Sequence, residues 1–346
     1  MDKTAQNAKA GKPVIGITVG DLNGIGTEII IKALSDNRLL KMFTPVVYGS
    51  TKVLSYYRKT LGLEPFNHHP VNNNFDLHTK KINVKNCWQD TVELNPGQVT
   101  SAGGKYAFIA LEAATNDLRE GKINALVTAP INKKNIQSDD FKFVGHTEYL
   151  THKFNNQNQD SLMLLVSEQL RIGVVTSHIP LVEVKKRLTQ EAIVSKINLL
   201  YKSLKNDFGI IKPKIAVLGL NPHAGEDGLL GNEETEIIIP AINECKKKGN
   251  LILGPFPADG FFGKMEHKKF DGVMAMYHDQ GLIPFKTLAF DEGVNYTAGL
   301  PVVRTSPDHG TAYNLAGKNK ANEESMLQAI FLAMDITKKR MEAKTE

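Results

Sequence analysis

The chain has 346 residues, enough to bury a large core and usually enough for two domains. Its net charge of +5 at pH 7 is small and its lysines are scattered, which argues against nucleic acid as a partner, and two distant cysteines provide neither a disulfide framework nor a thiolate metal site. No apolar run approaches the roughly 20 residues that cross a bilayer, and the polar residues 1–12 lack the core of a signal peptide, so we expect a cytoplasmic protein with a disordered tail and no membrane partner.

A glycine-rich turn follows the first predicted strand. The apolar run Pro13–Val19 leads into Gly20–Glu28 and then into a helical pattern, which predicts the order strand, turn, helix. Counted from Gly24, the third glycine of a dinucleotide fingerprint is replaced by Ile29, and no lysine of a P-loop follows. We expect Gly24 and Gly26 either to cradle an anion at the start of the helix or to form a tight structural turn.

Strands and helices are predicted to alternate through the next part of the chain. Apolar runs predict strands at Pro45–Tyr48 and Ala125–Thr128, and apolar periodicity predicts helices at Thr51–Leu61 and Lys105–Glu120. The stretch Phe66–Asn86 is rich in asparagine, histidine and lysine, so we predict an irregular surface loop whose histidines bind no ligand.

A histidine and a threonine stand directly before the next predicted helix. Thr147 is either the N-cap of this helix or a residue of the functional site. His146 beside it has a ring that can donate to a substrate oxygen or a phosphate. After them, Ser161–Val166 and Leu170–Val175 surround a polar turn and predict a hairpin, which interrupts the alternation of strand and helix.

Three strand-like apolar runs each deliver one histidine, His178, His223 and His278. Parallel strands place functional side chains beyond their carboxyl ends, so these imidazoles are predicted to meet at one edge of a single sheet. Three neutral nitrogen ligands with open positions suit a catalytic divalent metal better than a closed structural site. The alternative is that the three residues are unrelated capping or core histidines.

Other polar groups follow strand ends of the same kind. Pro284 is predicted to stop the chain after His278 from continuing freely as a helix, and Lys286, eight residues past His278, is within reach of the same crevice if the chain turns back. The loop Asn221–Glu234, with three glycines and four carboxylates, is typical of ligand-binding loops. Asp259 follows another predicted strand and is either a salt-bridge partner or an acid of the site.

The last quarter of the chain carries a candidate anion-binding group and a candidate base-binding segment. Arg304 follows a short apolar run, and its planar guanidinium suits a phosphate or a carboxylate. The segment His309–Ala312 has small side chains that allow a flat base to approach the backbone. Asn322–Lys338 is predicted to be a terminal amphipathic helix.

Together these motifs resemble the 4-hydroxythreonine-4-phosphate dehydrogenase family of pyridoxal phosphate biosynthesis. The motifs that carry the resemblance extend over nearly the whole chain: Gly20-Asp-Leu-Asn-Gly-Ile-Gly, Gly145-His-Thr-Glu, Thr176-Ser-His178, Asn221-Pro-His-Ala-Gly-Glu, Tyr277-His-Asp-Gln-Gly and Arg304-Thr-Ser-Pro-Asp-His-Gly-Thr-Ala. The resemblance implies a homodimer with the active site at its interface, and it implies that His178, His223 and His278 bind one divalent metal ion, Zn, Mg or Co. It further implies five contacts to a phosphorylated substrate: His146, Thr147, Lys286, Asn295 and Arg304.

A more distant likeness concerns the cofactor. Residues 309–322 resemble the adenosine-binding loop of isocitrate and isopropylmalate dehydrogenases, which bind a nicotinamide cofactor without a Rossmann fingerprint. The likeness implies that NAD or NADP is bound by His309, Gly310, Thr311, Ala312 and Asn322. It also implies the two-domain α/β fold of those enzymes, a mostly parallel sheet with helices on both faces. We expect a discontinuous larger domain over 13–140 and 287–346, and a central domain over 141–286 with most metal ligands and the dimer interface.

The activity implied by the resemblance is the NAD-dependent oxidation of 4-phosphooxy-threonine (4-hydroxy-L-threonine phosphate) to a 3-oxo acid that decarboxylates to 3-amino-2-oxopropyl phosphate. The metal would lower the pKa of the substrate hydroxyl. Lys286 and Asp259 are the candidate catalytic residues, and either Asp259 or water held by the metal accepts the proton. The alternatives are a dehydrogenase of 4-phospho-threonate or erythronate and, in other classes, a phosphate acyltransferase of the same architecture or a metal-dependent phosphohydrolase.

Overall fold

The computed structural model describes residues 12–64, 67–154 and 160–343, so the predicted disordered tail lies outside the described residues except for Lys12. The chain divides into two compact units. Unit 1 comprises Met1–Phe154 and Val302–Lys338, and unit 2 comprises Asn155–Pro301 and Lys339–Glu346.

The boundaries expected from the sequence fall earlier along the chain than the boundaries of these units. Residues 141–154, which include His146, belong to unit 1, and residues 287–301, which include Asn295, belong to unit 2. A compact unit is not the same as an independently folding domain, so the predicted domain boundaries stay a prediction.

Unit 1 contains a parallel sheet. Its strands in spatial order are β3 (His68–Pro70), β4 (Ile82–Asn86), β2 (Thr44–Gly49), β1 (Val14–Thr18), β5 (Ala125–Thr128) and β12 (Val303–Pro307). Each pair of neighbours runs in the same direction. Strand β2 is buried at every position, which is the pattern of a parallel strand covered on both faces.

The predicted helices of unit 1 are present. The helices are α1 (Gly26–Ala33), α2 (Thr51–Thr60), α3 (Ser101–Arg119), α4 (His146–Phe154) and α10 (Glu324–Glu342), of which residues up to Lys338 belong to this unit. At the start of α3, the hydroxyl of Thr100 accepts a hydrogen bond from the Gly103 amide at 3.0 Å. Gly121 follows its end with a φ of +71°, which glycine adopts without strain. Local capping and one apolar face therefore define this helix.

The prediction of an irregular loop over Phe66–Asn86 is wrong, because this stretch, whose residue 66 lies outside the described part, contributes strands β3 and β4. Residues 82–84 are buried beside β2. The buried Asn83 is tolerated because its Nδ2 donates to the carbonyl of Pro45 at 3.1 Å and its Oδ1 accepts a backbone N–H. A polar residue whose hydrogen bonds are satisfied inside the sheet concealed the strand from an argument based on hydrophobicity.

Unit 2 contains a mixed sheet. Its strands in spatial order are β11 (Val294–Ala298), β6 (Leu162–Val166), β7 (Arg171–Thr176), β10 (Gly272–Tyr277), β8 (Lys214–Leu218) and β9 (Leu251–Phe256). Strand β6 is antiparallel to both β11 and β7, which confirms the predicted hairpin. Strands β7, β10, β8 and β9 run parallel to one another. The mostly parallel α/β class expected from the sequence is confirmed.

The helices of unit 2 cover this sheet. They are α5 (Leu181–Arg187), α6 (Gln190–Asn206), α7 (Ile239–Lys246) and two that the sequence did not predict, α8 (Ala258–Gly263) and α9 (His278–Ala289). The prediction that Pro284 ends the helical chain is wrong, since α9 runs through it. Proline lacks the N–H that bonds one turn back, but Leu282, Phe285 and Ala289 are buried in the core with residues of β7 and β10 and hold the helix together. Among the described residues, no helix is long and apolar enough to cross a membrane.

One buried histidine of unit 2 lies outside the predicted site. His267 is 2% exposed and belongs to the helical turn Glu266–Lys269, with the ring centre of Phe262 at 5.8 Å. Neither ring nitrogen has a hydrogen-bond partner among the described residues. Burial lowers the pKa of this imidazole, and the charge of Lys268 lowers it further.

We predict that His267 makes the protein less stable in mild acid. The unfolded imidazole has its ordinary pKa of about 6.5, so below that pH the unfolded chain binds more protons than the folded chain, and the free energy of unfolding falls. Measured by urea unfolding, the variant His267→Leu should lose less of this free energy between about pH 8 and about pH 5 than the wild type. The control His68→Leu removes an exposed imidazole and should keep the wild-type slope. Equal slopes in all three proteins would contradict the prediction.

Candidate active site

Three neighbouring parallel strands of unit 2 end beside one another and are each followed by a predicted metal ligand. His178 lies two residues beyond β7, His278 directly follows β10, and His223 lies five residues beyond β8. Strand β10 is hydrogen-bonded between β7 and β8. The expected arrangement of three histidine-bearing segments at one edge of a sheet is therefore present.

Side-chain hydrogen bonds hold these three strand ends together. The hydroxyl of Thr176, the last residue of β7, donates to the carbonyl of Met276 in β10 at 2.9 Å. The side chain of Gln280 accepts from the amide of Met276 at 2.7 Å and donates to the carbonyl of Gly219, just beyond β8, at 2.6 Å. The segments that carry the histidines are thus fixed relative to one another by more than the backbone ladder.

Two of the three imidazoles are neighbours. The rings of His178 and His278 have centres 5.8 Å apart and are tilted by 44°. Imidazoles that share a cation about 2.1 Å from each nitrogen have ring centres roughly 5 Å apart, so this pair is slightly farther apart than two ligands of one ion. Nδ1 of His278 lies 2.7 Å from Oδ1 of Asp279. A carboxylate that holds Nδ1–H leaves Nε2 as the metal-binding atom.

The loop that carries His223 has an unusual backbone. Five consecutive residues, His223–Asp227, have positive φ, and only one of them is glycine. A non-glycine residue in this region costs about 1–2 kcal/mol, so the surrounding structure must hold the loop in place. Strain of this kind is typical of functional segments.

A buried carboxylate anchors the residues just before this run. Oε1 of Glu234 accepts hydrogen bonds from the backbone amides of Leu220 and Asn221 at 2.7 and 2.8 Å. Its Oε2 accepts from Nδ2 of Asn221 at 2.9 Å. Glu234 begins a π-helical turn, a feature that is frequent at functional sites. The adjacent Glu233 is paired with Lys185 at 2.6 Å, and this bond, together with Asn221, lowers the pKa of Glu233 to about 2.

The three histidines do not form a complete metal group within one chain. Among residues 12–64, 67–154 and 160–343, no three His, Cys, Asp or Glu side chains are arranged to hold a metal ion. The structure brings His178 and His278 together, and His223 lies on the adjoining loop without completing a set of three. The metal-ligand assignment therefore stays a prediction.

In unit 1, Arg304 lies inside strand β12 and is almost fully buried. Its Nε and Nη2 donate to the hydroxyl of Thr128, at the end of the neighbouring β5, at 3.2 and 2.6 Å. Burial lowers the pKa of the guanidinium to about 10, against the opposite effect of the Glu148 carboxylate. The group is still a cation at neutral pH, and burial strengthens its attraction for an anion.

His146 is the first residue of α4 and Thr147 the second, so the interpretation of Thr147 as the N-cap is wrong. Burial holds the pKa of His146 well below its usual range, and the nearby charges of Arg304 and Lys133 lower it further. Nε2 of this half-buried ring is closed to solvent and has no hydrogen-bond partner in the described part of the chain. A neutral imidazole at a helix N-terminus beside cations favours an anionic ligand.

The remaining predicted substrate and catalytic residues lie in unit 2. Lys286 is half-buried on α9, roughly 12 Å along the helix axis from His278, so the expected turn back toward that histidine does not occur. Asn295 lies on β11, and its Oδ1 is buried without a partner among the described residues. Asp259 is exposed in the first turn of α8, just beyond β9. The roles of these three residues stay predictions.

The predicted cofactor segment follows β12 and contacts the glycine-rich turn. The amide of Ile25 donates to the carbonyl of Thr311 at 3.0 Å, and a Cβ on Gly24 would lie 2.9 Å from the same oxygen. Gly24 is therefore needed for the close approach of two backbones, which supports the structural-turn alternative. A Cβ on Gly310 would meet no atom within 4 Å, so its backbone is open to a ligand. Oδ1 of Asn322 accepts from the Glu324 amide at 2.9 Å, at the start of α10.

The sequence did not identify three residues that organise these sites. Gln280 stands inside the Tyr277-His-Asp-Gln-Gly motif, and Glu234 ends the acidic loop, so each belonged to a stretch already singled out. Glu28 ends the glycine-rich turn, and nothing in its local pattern indicated a contact with residue 321. Distant partners left no signal in a single sequence.

These features define a class before any comparison: a mostly parallel α/β protein with clustered imidazoles at strand ends, a buried cation beside a helix N-terminus, and no dinucleotide fingerprint. Residues 41–333 match the family model of the pyridoxal phosphate biosynthetic protein PdxA. The chain belongs to this family, which confirms the family recognised from its motifs.

Curated relatives match nearly all of the chain. A 4-hydroxythreonine-4-phosphate dehydrogenase of Bacteroides thetaiotaomicron is 51% identical over 330 residues, which are 95% of this chain and 90% of the relative. A protein of Oceanobacillus iheyensis, provisionally named a D-threonate 4-phosphate dehydrogenase, is 41% identical over 94% of this chain and 98% of its own length. The crystal structure of 4-hydroxythreonine-4-phosphate dehydrogenase from Klebsiella pneumoniae has a TM-score of 0.81 at 38% identity, over 95% of this chain and 99% of that one. The expected class of enzyme agrees with these names.

We predict that Glu234→Gln releases the loop around His223. A neutral amide accepts hydrogen bonds more weakly than a carboxylate, and the NH2 group of the new side chain would face an N–H donor of Asn221. The unfolding free energy should therefore fall by about 1–3 kcal/mol. Urea unfolding measures this change, and limited proteolysis should detect faster cleavage within residues 221–231. Glu236→Gln is the matched control, because Glu236 is exposed in the same turn. Identical stability and cleavage in both variants would exclude the restraining role.

Proposed function

We propose that this protein catalyses the NAD-dependent oxidation of 4-phosphooxy-threonine to a 3-oxo acid, which loses CO2 to give 3-amino-2-oxopropyl phosphate for pyridoxine 5'-phosphate biosynthesis. The observation that carries the proposal is the pair His178 and His278, at adjacent strand ends with ring centres 5.8 Å apart, in a chain of the PdxA family. Relatives named 4-hydroxythreonine-4-phosphate dehydrogenase support the choice of substrate. A cytoplasmic location stays the expectation from composition.

We assign one divalent cation, Zn, Mg or Co, to the imidazoles of unit 2. His178 and His278 would supply two nitrogen ligands, and His223 on the adjoining loop would supply the third. A bound cation would lower the pKa of the substrate hydroxyl and polarise the carbonyl formed from it. The carboxylate of Asp279 holds the ring of His278 in the orientation that presents Nε2.

The phosphate of the substrate is assigned to His146, Thr147 and Arg304 of unit 1. The buried guanidinium supplies the charge, and the first turn of α4 supplies backbone N–H groups. Because its pKa is depressed, His146 is neutral at pH 7, and with the proton on Nε2 it would donate to a phosphate oxygen. Lys286 and Asn295 of unit 2 are assigned to the same substrate by family resemblance.

The reaction transfers a hydride and releases a proton. The hydrogen on the alcohol carbon leaves as hydride to the nicotinamide ring, and the hydroxyl proton passes to a base, for which exposed Asp259 is the candidate. In the resulting 3-oxo acid, the bond between C2 and the carboxylate carbon then breaks. CO2 leaves, and the enolate that remains takes up a proton. Lys286 is assigned to anchor the phosphate, which fixes how closely the reacting carbon approaches the nicotinamide.

The cofactor is assigned to His309, Gly310, Thr311, Ala312 and Asn322. The open backbone at Gly310 fits the close approach of an adenine ring. Both NAD and NADP are compatible with this segment. The side chain of Asn322 already bonds to the start of α10, so its contact with a cofactor would use its remaining donors.

A homodimer with the active site at its interface is part of the proposal. Exposed large apolar side chains follow each predicted metal ligand: Leu181 and Val182, Leu229 and Leu230, and Ile283. Contiguous exposed apolar patches are typical of protein interaction sites. We propose that a second copy of the chain covers this edge and so excludes water from the cation.

A second candidate substrate is 4-phospho-D-threonate, in which a hydroxyl replaces the amine. The relative from Oceanobacillus iheyensis, with the name of a D-threonate 4-phosphate dehydrogenase, favours it.

A direct assay tests the proposed activity. NADH absorbance should rise when the purified protein receives NAD, a divalent cation and 4-phosphooxy-threonine, and the rise should stop on addition of a chelator. Parallel reactions with 4-phospho-D-threonate and with NADP compare the alternatives. Turnover of 4-phospho-D-threonate alone would show that this compound, and not 4-phosphooxy-threonine, is the substrate. If neither NAD nor NADP is reduced, the proposed dehydrogenase activity is refuted.

We predict that His178→Ala, His223→Ala and His278→Ala each abolish cation-dependent turnover without unfolding the protein. Loss of one imidazole ligand should weaken cation binding by at least about 100-fold. The rise in Tm that Zn or Co causes in the wild type should disappear in all three variants, and circular dichroism should stay unchanged. His68→Ala removes an exposed histidine and should behave as wild type. If a variant keeps both turnover and the Tm rise, the histidine that it lacks is not a metal ligand.

A further inference from the structure

We infer that Glu28 and Lys32 of α1 are positioning residues that set the affinity for the nicotinamide cofactor without touching it. They act by holding the backbone beside Asn322 in its binding conformation. The inference rests on the proposed function, since the cofactor is assigned there to His309–Ala312 and Asn322.

The two side chains hold both polar backbone groups of one residue. Oε1 of Glu28 accepts the amide hydrogen of Ala321 at 3.0 Å. Nζ of Lys32 donates to the carbonyl of Ala321 at 2.8 Å and to Oε1 of Glu28 at 2.8 Å. Ala321, the residue directly before Asn322, is thereby fixed in both directions by one ion pair.

This ion pair is buried, which makes it costly unless it has a specific use. The carboxylate of Glu28 is fully buried, the Lys32 side chain is 15% exposed, and Oε2 of Glu28 has no hydrogen-bond partner among the described residues. Buried ion pairs contribute little net stability compared with apolar residues of similar volume, but they restrict geometry strongly. The pair is therefore better explained by the conformation that it imposes on residues 321–322 than by stability.

Helix α1 holds the cofactor segment at both ends. At the near end, the amide of Ile25, directly before α1, donates to the carbonyl of Thr311. At the far end, Glu28 and Lys32, one and two turns into the helix, hold Ala321. The residues assigned to the cofactor thus lie beside two points attached to the same rigid element, so α1 fixes the distance between them.

Without the ion pair, the cofactor itself would have to order this part of the segment. The cost of ordering is taken from the binding energy, so affinity falls while the chemical step stays the same. Loss of these two hydrogen bonds, each of which involves a charged side chain, should weaken cofactor binding by roughly tenfold.

The experiment compares Lys32→Met, Glu28→Gln and the double variant with the wild type. Titration of NADH by fluorescence should give a dissociation constant about tenfold higher in each single variant, and little more in the double variant because the two residues act as one unit. Without cofactor, amide hydrogen exchange should be faster at residues 318–323. The KM for NAD should rise, whereas kcat and the KM for the phosphorylated substrate should stay unchanged. Lys142→Met is the control, because the pair of Lys142 with Asp139 is exposed.

The readouts separate this inference from the proposed function. Faster exchange with an unchanged dissociation constant would show a merely structural pair and overturn the inference, as would no change in either. Glu28 is fully buried, so the Glu28→Gln variant can fail to fold. Lys32 is partly exposed, and the Lys32→Met variant then still provides the test. If the wild type binds neither NADH nor NADPH, the proposed function fails first, and the inference fails with it.

Discussion

The arrangement of the candidate metal site depends on a short chain of hydrogen bonds that joins the ends of three strands, β7, β10 and β8. Parallel strands bring their carboxyl ends to the same edge of a sheet, but this alone leaves the loops beyond them free to diverge. Thr176 ties β7 to β10, and Gln280 ties β10 to the residue that follows β8. Because Gln280 is only two residues from His278, the restraint acts where the imidazole leaves the strand. The pairing of His178 with His278 follows from this geometry.

Under the proposed function, the two units bind ligands of opposite charge in different ways. Unit 2 presents imidazoles, which bind a cation only when neutral, and keeps them partly open to solvent. Unit 1 buries a guanidinium that stays protonated and places beside it a histidine whose pKa is depressed. A protonated His146 would add a second charge to Arg304 at a cost, whereas the neutral ring adds a directional donor. Charge and direction are thus supplied by separate residues.

Much of the fold was predictable from apolar runs and stop signals. The hairpin β6–β7, the histidine-bearing strands and helix α3 agree with the sequence because each depends on local periodicity and caps. Strand β4 was missed because Asn83 satisfies its hydrogen bonds inside the sheet, and helix α9 because packing outweighs the missing N–H of Pro284. In both cases tertiary contacts overrode a local signal.

The candidate site was predictable in its residue types and less so in its geometry. The spacing of motifs placed three histidines at one edge, yet it gave no sign that only two would be close within one chain. The residues that restrain the site, such as Gln280 and Glu28, have partners 61 and 293 positions away. Such contacts depend on the assembled fold. The family resemblance implied roles for residues that bind ligands, but not for the residues that hold them in place.

The left-handed run at His223–Asp227 limits how this loop can be exchanged between relatives. Each of its non-glycine residues occupies a conformation that β-branched side chains strongly disfavour, so Val, Ile or Thr at these positions would be excluded while Gly or Asn would be accepted. The residues just before the run, Leu220 and Asn221, are held by Glu234 at the far end of the loop. A loop transplanted without that carboxylate would relax to an ordinary right-handed turn, and its histidine would point elsewhere.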